Sequence, residues 1–222
     1  TLTETKAYEG DIKYIVEHLE DFVRIPNAVK ILSDEVLSLA VSGKIVPQKL
    51  NEPSVKALHE SIQFSNKNRA EKRVGGRKKE NLSIKVDSAP FEIPESWVWV
   101  RGSVLFDVVR GVTYGKSDAD PEKQPGYIAL LRSHNIQQAG LNTEDLVYVR
   151  KEKVSDEQII CNGDILIAMS SGSKNLVGKA AQAKEDLNVT YGAFCAVIRA
   201  YEPSISRYLG FFFSTPYYRE AT

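Results

Sequence analysis

Apolar positions in the first sixty residues recur with a helical step. Ile12, Ile15, Leu19 and Phe22 are spaced by three, four and three, which lines one face of a helix. Ile25-Pro26 ends that segment, because a residue before proline is pushed out of helical geometry. Val29, Leu32, Val36 and Leu39 repeat the spacing. Gly43, with Lys44 beside it, supplies a C-terminal stop, and Pro47 blocks continuation. Pro53 can open a third helix with Val55, Leu58 and Ile62 on its apolar side. The stripes are narrow, closer to a coiled-coil seam than to a globular face. Two readings stay open: a helix pair folded onto the neighbouring domain, or a seam awaiting a further helix.

From Pro90 the period changes. Short β-prone runs appear at Val98-Trp99-Val100, Tyr127 to Leu131, Leu146 to Val149, Ile165 to Met169 and Phe194 to Ile198. Turn signals such as Asn162-Gly163-Asp164 and Ser171-Gly172 separate them. Pro203 then opens a helix with Ile205, Tyr208, Leu209 and Phe212 on one side, interrupted near Pro216. Strands closed by a helix predict an α+β domain with a mixed sheet. The expected organisation is a helical region over residues 1–64, a linker over 65–88 and the α+β domain over 89–222. Nothing has the regular βαβ alternation of a dinucleotide fold.

Charge places any polyanion contact locally rather than globally. Lys plus Arg and Asp plus Glu number 29 each, so there is no overall basic field. The linker is the most basic stretch, with Lys67, Arg69, Lys72, Arg73, Arg77, Lys78 and Lys79 around Gly75-Gly76; it reads as solvated chain. Cys161 and Cys195 are too few for a disulfide framework and have no metal-ligand spacing, which favours a reducing, cytoplasmic setting. No apolar run approaches the roughly 20 residues of a membrane-spanning helix, so no membrane role is expected. The start at Thr1 and the stop directly after an amphipathic stretch suggest a piece cut from a longer chain.

Catalytic patterns fail on inspection. Gly111 to Ser117 reads Gly-Val-Thr-Tyr-Gly-Lys-Ser, one residue short of the four that a phosphate-wrapping loop needs between its glycines. Ser171-Gly172-Ser173-Lys174 fits Ser-x-x-Lys, but the companion Lys-Thr-Gly and Ser-Asp-Asn elements are absent. Ser214-Thr215-Pro216-Tyr217 faintly echoes the loop with which amino-methyltransferases hold an extruded base, with Thr215 where the first proline should be. His18, His59 and His134 are scattered and read as surface or structural residues. No catalytic residue, cofactor or metal is therefore expected, and binding is the remaining function.

Several segments resemble, in order, the specificity subunit of Type I restriction-modification systems. They are Ile31-Leu32 and Ala40 to Gln48, Glu52-Pro53, Pro90 to Trp97, Arg110 to Tyr114, Leu131 to Gln137, Ala168 to Lys174, Val177 to Lys179, and Tyr191 to Cys195. The resemblance implies a target-recognition domain that reads one half of a split, adenine-containing double-stranded DNA site. It also implies coiled-coil helices that set the gap between halves. Modification (methyltransferase) subunits would methylate adenine, and restriction (translocase/nuclease) subunits would cut. A full subunit carries two such domains; this chain has one, so an N-terminal half is expected. The alternative is the specificity domain of a fused restriction/methyltransferase polypeptide.

Three Gly-containing or polar loops suit DNA reading, because glycine lets backbone approach a groove and polar side chains reach base edges. The first offers Arg110, Thr113, Tyr114 and Lys116, the second Arg132, Ser133, His134, Asn135 and Gln137, and the third Ser170, Ser171, Ser173, Lys174 and Lys179. Arg132, Asn135 and Gln137 are the leading base readers, and Ser170 to Lys174 with Lys179 the phosphate holders. Structural alternatives stay open: Asn135 capping a turn, or Arg132 pairing with a carboxylate such as Asp164. Gly163-Asp164 reads as a structural turn into the buried run Ile165-Leu166-Ile167. The aromatic surplus around Tyr208, Phe211, Phe212, Phe213, Tyr217 and Tyr218 offers core packing and a face for a modification subunit.

Overall fold

Strand Ile165–Ala168 (β7) is buried at all four positions, and the reason is that its sheet is covered on both faces. The computed structural model describes residues 13, 14, 16–48, 58, 60, 62, 89–170, 172 and 176–221, with the backbone alone for Phe22. The basic linker, most of the third expected helix, and Ile12 and Ile15 lie outside these residues.

Two short helices come first, Leu19–Val23 (α1) and Ala28–Val41 (α2). α1 stops before Pro26, as expected. α2 ends in a Schellman turn: Gly43 has φ 72, its N–H donates to Ala40 O at 3.1 Å, and Lys44 N–H donates to Leu39 O at 2.9 Å. A one-turn helix, Gly102–Leu105 (α3), leads into Phe106–Arg110 (β1).

The first sheet has the order β1, Cys195–Ala200 (β10), β7 and Ala180–Gln182 (β8), antiparallel throughout. The second runs Ala119–Asp120 (β2), Val147–Arg150 (β6), Tyr127–Leu131 (β3) and Thr190–Tyr191 (β9), with β3 and β9 parallel. Ile136–Gln137 (β4) and Gly140–Leu141 (β5) form a small hairpin. Alternate residues of the first sheet serve two cores. Leu166, Ala168, Ala181, Cys195 and Val197 join Leu131, Ile136, Ile160 and Tyr191 beneath the second sheet. Ile165, Ile167, Ala196 and Ile198 face the other way, under Leu209 and Phe213 of the C-terminal segment. This is the α+β arrangement the sequence predicts, and Val98-Trp99-Val100 is the one run that does not become a strand.

Helix Pro203–Phe212 (α4) is followed, after a break, by Pro216–Glu220 (α5). Thr215 is fully buried and caps α5: its Oγ1 accepts from Tyr218 N–H at 3.4 Å and donates to Phe212 O at 2.6 Å. The methyltransferase-like echo at Ser214 to Tyr217 is thus a helix cap.

Part of α2 lies against this body. Tyr208 Oη donates to Val41 O at 2.9 Å, and a Cβ on Gly43 would sit 2.8 Å from the Pro94 ring. Trp97 Nε1 donates to Gln48 Oε1 at 3.0 Å, joining the helix-end motif to the domain-opening one. Of the second stripe, Leu32 and Leu39 are partly covered, whereas Val29 and Val36 stand exposed, as does Ile31 beside them.

At the far end of the first sheet Asp164 is 3% exposed and grips Arg199, whose Nε donates to Asp164 Oδ1 at 2.8 Å. Arg199 also donates to the carbonyls of Glu157 and Ile159, so the buried charge is paired and hydrogen-bonded, the condition under which such a pair is tolerated. That hydrogen bond to Asp164 raises the Arg199 pKa further above its ordinary range. The Gly163-Asp164 turn is structural, as expected.

Candidate nucleic-acid interface

The three polar loops start from one short turn, Tyr191 to Cys195. Gly111 N–H donates to Cys195 O at 3.1 Å and Val112 N–H to Tyr191 O at 2.8 Å, which tethers the first loop. Gly192 N–H donates to Leu131 O at 3.0 Å at the root of the second, and Met169 and Ser170 N–H donate to Phe194 O at 2.8 and 3.1 Å at the root of the third. β1 ends, β3 ends, β7 ends and β10 begins at this one edge of the two sheets. Tyr191 itself is fully buried, and its hydroxyl donates to Val109 O at 3.2 Å; burial holds the phenol neutral well above its ordinary pKa.

Glycines allow the close approach. A Cβ on Gly111 would lie 2.2 Å from Gly192 O, so the first loop crosses the turn only with glycine there. Gly178, with φ 75, bends the third loop back so that its N–H donates to Ala168 O at 2.8 Å.

The expected site residues are placed unequally. Arg110, Thr113, His134, Gln137 and Ser170 are exposed, and Ser133, Arg132 and Lys179 are half-buried near the same edge. Tyr114 is partly buried, packed with Val112, Ile128, Leu130 and Val149, so much of its ring belongs to the core. Lys116 is not brought together with the others. It opens the turn that feeds β2, whose pairing with β6 sets it by the Arg150 end of that strand, away from the converging roots. Ser171, Ser173 and Lys174 lie outside the described residues.

Asn135 requires a correction. It is 1% exposed, and its side chain is occupied within the loop. Oδ1 accepts from Arg132 N–H at 2.8 Å, while Nδ2 donates to Asn142 O at 3.1 Å and Glu144 O at 3.0 Å. A buried amide with both donors engaged has no N–H left to offer a base edge. The turn-capping alternative therefore holds for this residue. Arg132 pairs not with Asp164 but with Asp145: its Nη2 lies 3.4 Å from Asp145 O and 3.9 Å from Asp145 Oδ2, with His134 Nε2 3.6 Å from the same carboxylate. Arg132 Nε is buried without a hydrogen-bond partner. Sequence reasoning also passed over Phe194, read as the first residue of a β-prone run; β10 begins one residue later and the Phe194 ring is 70% exposed. Among the described residues no cluster of three or more His, Cys, Asp or Glu is placed to hold a metal ion.

No family model matches the chain. It is 40% identical over 128 residues to the EcoKI specificity subunit of a Type I restriction enzyme from Escherichia coli K12, covering 58% of this chain and 28% of that protein. Over that stretch the chain is similar to the specificity subunits of Type I restriction enzymes. The StySPI specificity subunit of Salmonella potsdam is 38% identical over 128 residues, again 58% of this chain and 28% of the relative. The Escherichia coli EcoAI specificity subunit is 28% identical over 174 residues, 76% of this chain and 29% of the relative. The chain thus spans under a third of the length of each of these specificity subunits. Among solved structures, the HsdS subunit from Thermoanaerobacter tengcongensis aligns over 91% of this chain and 40% of its own, at 15% identity and a TM-score of 0.40. A chain of a type I R-M system aligns over 86% and 41%, at 16% identity and a TM-score of 0.41.

Proposed function

We propose that this chain reads DNA sequence for a Type I restriction-modification complex, taking one half of a bipartite, adenine-containing site while modification and restriction subunits perform the chemistry. The reading rests on one observation: the main-chain knot at Tyr191 to Cys195 gathers the roots of three polar loops at one edge. Rigid strands beneath and exposed polar side chains above form the arrangement in which loops specify and a scaffold positions. Arg110, Arg132 and Gln137 are the base readers, since a guanidinium forks onto guanine and a carboxamide onto adenine. Thr113, Ser133, His134 and Ser170 add polar contacts, and Lys179 holds a phosphate. Asn135 positions Arg132 rather than touching DNA. The exposed Val29, Ile31 and Val36 of α2 fit the seam on which a spacer helix would lie.

A mobility-shift titration of the chain on labelled duplexes tests the reading. The expected result is weak binding that falls steeply with salt, because phosphate contacts release counterions. Adding the modification subunit should bring selectivity for a short adenine-containing half-site. No duplex binding at low salt, or binding that stays indifferent to sequence with that subunit present, overturns it.

A further inference from the structure

Two large apolar side chains stand in solvent where the loops converge. Phe194 is 70% exposed and Met169 49%, although both adjoin fully buried residues. Cys195 pairs with Ala168 across β10 and β7, so Phe194 and Met169 are the next residues beyond that pair and face each other across the strand ends. The 2.8 Å hydrogen bond from Met169 N–H to Phe194 O fixes their backbones. They are therefore held on the scaffold, not carried on a free loop. Burying a phenyl ring and a thioether removes apolar surface from water, so leaving both exposed forgoes stability within the chain itself. Their surroundings are polar: Arg110 is exposed opposite Ala196, two residues from Phe194, and Ser170 follows Met169.

An apolar pair beside a cation and a hydroxyl suits the interior of a DNA groove, where thymine methyl groups and opened base steps offer apolar surface and the phosphates lie outside. A protein partner would be met by a broader apolar face than two side chains. We propose that Phe194 and Met169 form an apolar tip that packs on the bases inside the groove, a contact that adds specificity next to the polar readers. This inference rests on the DNA-reading function proposed above.

The test uses the whole chain together with the modification subunit, and a fluorescein-labelled duplex that this pair selects from a randomised library. Anisotropy titrations are run over a salt series for the wild type, Phe194→Ala, Met169→Ala and Phe194→Leu. An apolar contact releases no counterion, so Phe194→Ala should weaken binding roughly tenfold, as loss of an aromatic contact to a base does, with the slope of log affinity against log salt unchanged. Met169→Ala should weaken it less, and Phe194→Leu should retain most of the affinity. The melting temperature should stay at the wild-type value for all three, because both side chains are exposed. Wild-type affinity in Phe194→Ala overturns the tip while leaving DNA reading intact. A reduced salt slope also overturns it, since the ring would then be supporting a phosphate grip. If the wild type binds no duplex, the recognition reading itself fails and the tip with it.

Discussion

Gly111 and Gly192 touch through their backbones: a side-chain carbon on Gly111 would lie 2.2 Å from Gly192 O and 2.6 Å from Tyr191 O. The obstacle is main chain, which cannot rotate aside, and it belongs to the turn on which all three loops depend. Gly111→Ala is expected to destabilise the fold by about 1–3 kcal/mol, the usual cost of forcing an atom into a filled space. Because the displaced segment roots the loops, DNA affinity should fall further than that loss of stability explains. Urea unfolding beside a DNA titration at a temperature where the variant is fully folded separates the two effects.

Side chains that read bases and side chains that hold phosphates differ in what their removal does. Arg132→Ala should relax sequence preference, with each lost bidentate contact worth about 1–3 kcal/mol between the right and wrong base. Lys179→Ala should weaken every duplex alike and lower the salt slope by about one. Competition binding on matched and mismatched duplexes with the modification subunit present, at two salt concentrations, checks both, and an equal loss on all sequences from both changes would refute this division of roles.

Asn135 acts on Arg132 from inside the loop. Removing its side chain leaves the Arg132 N–H and the carbonyls of Asn142 and Glu144 without that partner. The expected cost of Asn135→Ala is roughly 1–3 kcal/mol, read as a melting temperature lower by several degrees without any DNA. Asn135→Asp should not rescue it, since a second carboxylate oxygen would face two carbonyl oxygens. A pure base reader would show the opposite pattern, an unchanged melting temperature with altered sequence preference.

Legibility from sequence followed the length and apolarity of each element. The β3 run was readable to its ends, and β7 to within a residue, because Tyr127 to Leu131 and Ile165 to Ala168 are continuous apolar stretches between turn signals. β1 was missed: Asp107 and Arg110 interrupt Phe106–Arg110, an edge strand paired on one side only. β8 was missed because Ala180-Ala181-Gln182 has little β propensity and is held by its neighbours. The candidate loops were recognisable by composition, but their shared root was not. It arises from hydrogen bonds between residues distant in the chain, such as Val112 to Tyr191 and Gly111 to Cys195, which no local pattern encodes. Asn135 illustrates the same limit, since a carboxamide turned inward and one turned outward look identical in sequence.

Burial at the knot makes stability depend on alkaline pH. Cys195 is 1% exposed, and burial pushes its thiol from the ordinary 9.0 up to about 11. Above pH 9 the unfolded chain releases this proton while the folded chain keeps it, so the unfolded state binds fewer protons and stability falls as pH rises. The loss begins near the unfolded value and levels off above the folded one. Tyr191, raised by burial as well, contributes with the same sign at higher pH. For Cys195 alone the loss amounts to about 2 kcal/mol at a pH of about 10.5. Urea unfolding of wild type and Cys195→Ala at about pH 8 and about pH 10.5 isolates it. The variant, with no thiol to ionise, should lose less stability across that interval, although its small cavity lowers its stability at both. Parallel losses in the two proteins would mean that this thiol is not sealed within the turn that binds the loops together.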